Sequence, residues 1–202
     1  MSVDATEWDN RYAESERVWS LGPNQFVEAA LTDLPPGRAV DLAAGEGRNA
    51  VWLASRGWDV TAVDFSRVAL ERGRETAPDA GVTWVCADVL TWQSGAEPYD
   101  LAVLAYLQLA ESERRHATRT AFGCLRPGGT FFLVAHDSSN LTEGTGGPQD
   151  PSVLMTADDV LADLGDASYD VVRATRVERR VAGPDGTERT AYDALVRVVR
   201  TG

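Results

Sequence analysis

One stretch constrains the fold more than any other. Residues 40–54, VDLAAGEGRNAVWLA, read as strand, glycine-rich turn and helix in immediate succession. Val40 and Leu42 suit a buried strand, Ala43, Gly45 and Gly47 keep the turn small, and Ala50, Leu53 and Ala54 share one helix face. The small turn residues let a ligand approach the backbone while the helix N-terminus faces it.

The pattern then repeats. Short apolar runs predict strands at 39–42, 59–63, 82–86, 101–105 and 130–135, with helices over 49–56, 67–76 and 112–125 between them. Gly57 ends one helix, and Pro127-Gly128-Gly129 turns the chain into the fifth strand. This alternation is the signature of β-α-β units around a parallel sheet. Ahead of it, residues 4–7 fit a capping box, and a helix begins near Pro23 and ends before Pro35-Pro36-Gly37.

The last third changes character. Residues 138–151 hold Gly144, Gly146, Gly147, Pro148 and Pro151, a loop long enough to carry a function. Thr156-Ala-Asp-Asp159 resembles a capping box for a short helix. Strands over 169–181 and 189–200, joined by Gly183-Pro-Asp-Gly186, form a hairpin and not another β-α-β unit.

Charge and composition exclude several functions. A nucleic-acid binder needs a basic stripe, and here 31 acids outnumber 19 bases for a net charge of −12. The Arg173, Arg176, Arg179, Arg180 cluster is interleaved with acids and reads as a solvated strand face. No apolar run approaches the ~18 residues that span a bilayer, and the polar, acidic N-terminus is unlike a signal peptide. Cys86 and Cys124 stand alone, which points to a reducing compartment, hence the cytoplasm, and to no metal site.

The ligand marks come in sequence. Gly45-x-Gly47-x-x-Ala50 fits a dinucleotide turn, and Asp64, 19 residues beyond Gly45, can accept ribose hydroxyls with Phe65 beside it to cover an adenine. These marks suit a nicotinamide cofactor as well as S-adenosylmethionine. Asp88, placed to accept an adenine amino group, adjacent Val89, the Pro-Gly-Gly turn and the terminal hairpin favour the second.

With those residues in view, the chain resembles the class I S-adenosylmethionine-dependent methyltransferases, and within them the tellurite-resistance and thiopurine-like small-molecule enzymes. DLAAGEGRN resembles the family motif DxGxGxG, with Ala43 where glycine is usual. The resemblance implies an α/β, Rossmann-like three-layer sandwich with a mostly parallel seven-stranded sheet ending in an antiparallel hairpin. It implies one domain over 1–202: cover helices 1–36, cofactor core 37–136, lid loop and helix 137–165, and hairpin 166–202. Ala43, Gly45 and Gly47 would line the methionine portion, Asp64 the ribose, and Phe65, Asp88 and Val89 the adenine. The Ala105 backbone would approach the methionine amine, with Arg11 and Trp19 over that end.

The acceptor side is less legible. Residues after strands four and five face the cofactor in this fold, which names Tyr106, Gln108 and His136 for the substrate. His136, with Tyr106, is the candidate for chemistry, and Asp137 beside it is placed to set its charge. The plainer reading of His136, an imidazole bonded to a loop carbonyl, stays open. A small-molecule partner and a monomer or homodimer complete the expectation. The rivals are a nicotinamide-dependent oxidoreductase and a non-catalytic S-adenosylmethionine-binding protein.

Overall fold

The structure, a computed structural model, describes residues 8–9, 22–183 and 186–202. Its core is a seven-stranded sheet in the order β3-β2-β1-β4-β5-β7-β6. β1 (Arg38–Leu42), β2 (Asp59–Asp64), β3 (Thr83–Cys86), β4 (Tyr99–Ala105) and β5 (Leu125–His136) run parallel. β7 (Glu188–Arg200) pairs antiparallel with both β5 and β6 (Tyr169–Ala182). The fold is the Rossmann-like arrangement with a terminal hairpin that the sequence leads one to expect.

Helices cover both faces because the central strands are apolar on both sides. α1 (Gln25–Leu31) and α2 (Arg48–Ser55) bury Val27, Leu31, Ala50 and Leu53 against Ala39, Val60, Val103 and Phe132. α3 (Arg67–Thr76) follows β2 and buries Ala69 and Leu70. On the other face, α4 (Glu111–Gly123) and α6 (Ala157–Leu164) set Ala117, Phe122, Val160 and Leu164 against Val40, Leu42, Leu104 and Phe131. A buried Arg114–Asp163 ion pair at 2.6 Å ties α4 to α6.

Local chemistry places the helix ends. The Asn24 side chain accepts the N–H groups of Phe26 and Val27, so α1 begins just after Asn24 rather than at Pro23. Ser66 caps α3, and Thr156 with Asp159 completes the expected capping box of α6. The capping box read at residues 4–7 lies outside the described residues.

Two expectations are corrected by the backbone. The Pro127-Gly128-Gly129 turn is part of β5, which starts at Leu125. Pairing passes from Tyr99↔Leu125 to Leu101↔Thr130, so the extra residues form an irregularity within the strand. The segment 138–151 also contains α5 (Asn140–Glu143), and a 3₁₀ turn at Pro151–Val153 closes it.

Candidate functional site

The carboxyl ends of β1, β2, β4 and β5 meet at one edge of the sheet, the edge where open α/β sheets bind ligands. The turn after β1 alternates backbone hands, with Ala43, Gly45 and Gly47 at φ 56°, 57° and 74°. Gly45 and Gly47 adopt this conformation without a Cβ penalty; Ala43 carries it with one. The lack of a side chain on Gly47 is also used from inside the fold. A Cβ there, or on Gly73 of α3, would overlap the Trp84 ring, which fills the space beneath the turn.

Asp64 ends β2 and organises this turn. Its carboxylate accepts the Gly45 N–H at 2.7 Å and the Ser66 N–H at 2.8 Å. Burial pushes its carboxyl above the ordinary range, and the Ser66 and Gly45 N–H groups offset only part of that. Asp9 reaches the same corner, its Oδ1 accepting from the Ser66 hydroxyl. Arg11 and Trp19 lie outside the described residues. Phe65 is half-buried, and Asp88 is exposed, its Oδ1 accepting the Leu90 N–H at 2.9 Å. Val89 is buried beside it. Because Ala87 N–H donates to the Asp64 carbonyl at 3.0 Å, Asp64, Phe65, Asp88 and Val89 are gathered at one corner.

Asp41 was not singled out from the sequence, although it opens the DxGxGxG-like motif. It is 1% exposed, and neither carboxylate oxygen has a hydrogen-bond partner among the described residues. Burial raises its carboxyl to about 7; the dipole of the nearby Ala50 N–H, outside hydrogen-bond geometry, and the Arg48 charge pull it down, and Asp64 pushes it up. A buried carboxylate left unpaired is costly unless a ligand answers it. A ligand with vicinal hydroxyls for Asp64 and an ammonium group for Asp41 meets both demands, and S-adenosylmethionine has both.

At the ends of β4 and β5 a second cluster forms. Tyr106 holds φ 60°, a strained conformation for an aromatic residue, and donates its hydroxyl to Asp193 Oδ2 at 2.8 Å. Burial, reinforced by the Asp193 charge, pushes its phenol well above the usual value. The Tyr106 and His136 rings lie 4.9 Å apart. His136 Nδ1 stands 3.2 Å from Asp193 Oδ1. Arg179 Nε donates to Asp193 Oδ2 at 2.8 Å. Burial alone would raise the Asp193 carboxyl, but the contacts from His136, Arg179 and Tyr106 outweigh it and hold it below the ordinary range.

Gln108 is engaged at both ends of its amide. Nε2 donates to the Val153 carbonyl at 2.7 Å, and Oε1 accepts the His136 N–H at 3.1 Å. It thereby fixes where His136 leaves the strand. Ala105 sits in the β4–β5 register opposite Val134, and Tyr106 N–H donates to the Val134 carbonyl at 2.7 Å. Asp137 does not partner His136: its Oδ1 accepts the Ser139 N–H and hydroxyl. The histidine's acidic partner is Asp193, from β7. Asp193 shows in the sequence only as a charged position on the face of β7 that also carries buried Ala191 and Leu195, and Arg179, expected on a solvated strand face, is half-buried against it.

The segment over this cluster is pinned at several points. The buried Asn140 side chain donates to the Gly146 carbonyl at 2.9 Å and accepts the Tyr192 N–H at 2.8 Å. Arg176 bridges Ser139 and Glu143 and stacks on Tyr192. The Gly147 backbone lies against the His136 ring, so that a Cβ there would fall 3.0 Å from Nδ1.

Comparison with known proteins points to methyl transfer. A family model described as a methyltransferase domain matches residues 39–129. The chain is 29% identical over 174 residues to thiocyanate methyltransferase 1 of Brassica oleracea, covering 81% of this chain and 75% of that one. It is 28% identical over 175 residues to a probable thiol methyltransferase 2 of Arabidopsis thaliana, covering 82% and 75%. In fold it is similar to the N-methyltransferase NodS from Bradyrhizobium japonicum WM9 in complex with S-adenosyl-L-homocysteine. The TM-score there is 0.74 at 19% identity, over 99% of this chain and all of that one. On the domain match, the relatives and the fold together, this chain carries a methyltransferase domain and is similar to S-adenosylmethionine-dependent methyltransferases.

Proposed function

We propose that this methyltransferase acts on a small thiol, placing the methyl group on sulfur. The observation that carries the proposal is His136 beside Asp193 at the end of β5, 3.2 Å apart. A thiocyanate or thiolate anion needs no base, but a neutral thiol, with a pKa of about 8.5, does. The names of the relatives from Brassica and Arabidopsis point to sulfur nucleophiles, and the histidine extends that chemistry to acceptors that arrive protonated.

Bound S-adenosylmethionine supplies an electrophilic methyl carbon on a sulfonium, open to in-line displacement. The chain's own residues bind, align and exclude water. In this reading Ala43, Gly45 and Gly47 give the methionine end room, and Asp41 faces its ammonium. Asp64 takes the ribose, Phe65, Asp88 and Val89 border the adenine, and the Ala105 backbone lies by the methionine amine. Arg11 and Trp19 belong to the same proposal as a cover. Tyr106, Gln108 and His136 shape the acceptor end, with His136 taking the proton and Tyr106 holding the ring in place.

A cytoplasmic protein, monomeric or homodimeric, acting on a small molecule and not on nucleic acid or membrane, completes the reading. The net charge of −12 supports it. No helix among the described residues is long and apolar enough to cross a membrane. The methyltransferase match removes the support for a nicotinamide-dependent oxidoreductase. Release of S-adenosylhomocysteine, measured against thiols, thiocyanate, halides, selenite, phenols and amines, tests the proposal and the non-catalytic alternative together. Small thiols should give the highest kcat/KM. A preference for an amine or phenol, or no turnover at all, overturns it.

A further inference from the structure

We infer that Asp193 is a positioning residue for His136, holding the imidazole with its proton on Nδ1 so that Nε2 is the nitrogen left to take the acceptor's proton. The catalytic half of this inference rests on the proposed thiol acceptor; the tautomer rests on geometry alone.

The register brings the two residues together. His136 and Asp193 are directly paired across the antiparallel β5–β7 ladder, and paired residues project from the same face. Asp193 is fully buried. Its Oδ2 is occupied twice, by the Tyr106 hydroxyl and by Arg179 Nε, both at 2.8 Å. Neither its Oδ1 nor His136 Nδ1 has a hydrogen-bond partner among the described residues, and the two atoms stand 3.2 Å apart. An unpaired buried acceptor facing an unpaired buried ring nitrogen favours the tautomer that puts a proton between them.

The ring has little freedom to turn away. Tyr106 packs on it at a centroid distance of 4.9 Å, and the Gly147 backbone lies against the ring atoms near Nδ1. The charged and titratable groups facing it are Asp193 from β7, Arg179 from β6 and Tyr106 from the end of β4. Asp137 is turned to Ser139, and Gln108 contacts only the His136 backbone N–H. Arg179 balances the charge of Asp193 before reaction. When the imidazole takes a proton, the carboxylate beside it stabilises the imidazolium.

In the step so arranged, the thiol S–H proton passes to His136 Nε2. The sulfur electron pair forms the new S–CH₃ bond as the sulfonium C–S bond breaks, its electrons staying on the departing S-adenosylhomocysteine sulfur. The proton on Nε2 then leaves to water. A purely structural Asp193, stapling the hairpin through Arg179, predicts none of the tautomer or pH behaviour below.

The test is ¹⁵N NMR of the imidazole in the full-length protein bound to S-adenosylhomocysteine. The chain has 2 histidines, and a His116→Gln variant assigns the pair. The expected spectrum shows neutral His136 protonated on Nδ1. In Asp193→Asn that preference should be lost, and kcat toward a neutral thiol should fall by about 10²–10⁴-fold. S-Adenosylhomocysteine affinity should hold, and the rate should recover above about pH 8.5, where the thiol ionises by itself. A wild-type ring protonated on Nε2, or an Asp193→Asn variant with unchanged tautomer and pH profile, overturns the inference. If Asp193→Asn does not fold, the wild-type spectrum decides the tautomer. If no thiol is turned over, the acceptor proposal fails while the spectrum still decides the role of Asp193.

Discussion

The Asp64 carboxylate, at the end of β2, accepts the Gly45 backbone N–H at 2.7 Å from the turn that follows β1. One side chain therefore shapes the turn, and in the proposed reading the same carboxylate takes the ribose hydroxyls. Removing it affects both. Asp64→Ala should weaken S-adenosylhomocysteine binding by about 1.5–3 kcal/mol, the range for hydrogen bonds to a charged group. Calorimetric titration measures this, and unchanged affinity in a folded variant would remove the ribose from this corner.

Asp41 gives the cleft a pH dependence. Its folded carboxyl, raised to about 7, lies above the unfolded value of 3.8. The stability this difference represents is present at low pH and is lost as pH rises to about 7. Ammonium binding favours the ionised form, so cofactor affinity should weaken below about pH 7, by at most about tenfold per pH unit. Asp41→Asn should stabilise the ligand-free protein at pH 8 by about 1–3 kcal/mol, after the cost of a buried amide. It should also weaken binding and flatten its pH dependence. Thermal melts and titrations across pH check both, and a steeper pH dependence in the variant would contradict the assignment.

Ala43 occupies a left-handed conformation at φ 56°. Glycine accepts that conformation without the Cβ clash, so Ala43→Gly should stabilise the fold by about 1 kcal/mol, net of its greater unfolded-state entropy. Denaturant unfolding should show the midpoint rising with an unchanged slope. A drop in stability would mean that the Ala43 methyl packs better than it strains.

The fold was largely legible because both of its periodicities are strong. β4 is a nearly continuous apolar run, α4 carries its apolar residues on one face, and the capping box at Thr156 announced α6. The Pro-Gly-Gly segment was read as a turn because nothing local distinguishes a turn from extra residues inserted in a paired strand; the Tyr99↔Leu125 pairing decides that. The turn residues and Asp64 could be read because they are close in sequence. Asp193 and Arg179 could not, since they reach His136 only through strand register, 57 and 43 positions away along the chain. Asp41 was hidden for another reason: its significance is the absence of a partner, which no sequence displays.

The loop over 138–151 is pinned by Asn140 and Arg176 near its start and bears on the histidine through Gly147. A segment that covers a site and carries several glycines belongs to the less stable part of a structure. Backbone amides from Gly144 to Asp150 should exchange more slowly with S-adenosylhomocysteine and a thiol bound than in the free protein. Equal exchange in both states would assign the loop a fixed structural role.

The most direct test of the account is turnover of a neutral small thiol by wild type and His136→Ala, with S-adenosylhomocysteine affinity measured on the same samples. The account predicts a kcat lower by about 10²–10⁴-fold, unchanged cofactor affinity, and a far smaller loss with thiocyanate, which needs no base. Equal rates toward the neutral thiol would contradict it, leaving alignment and water exclusion alone to carry the transfer.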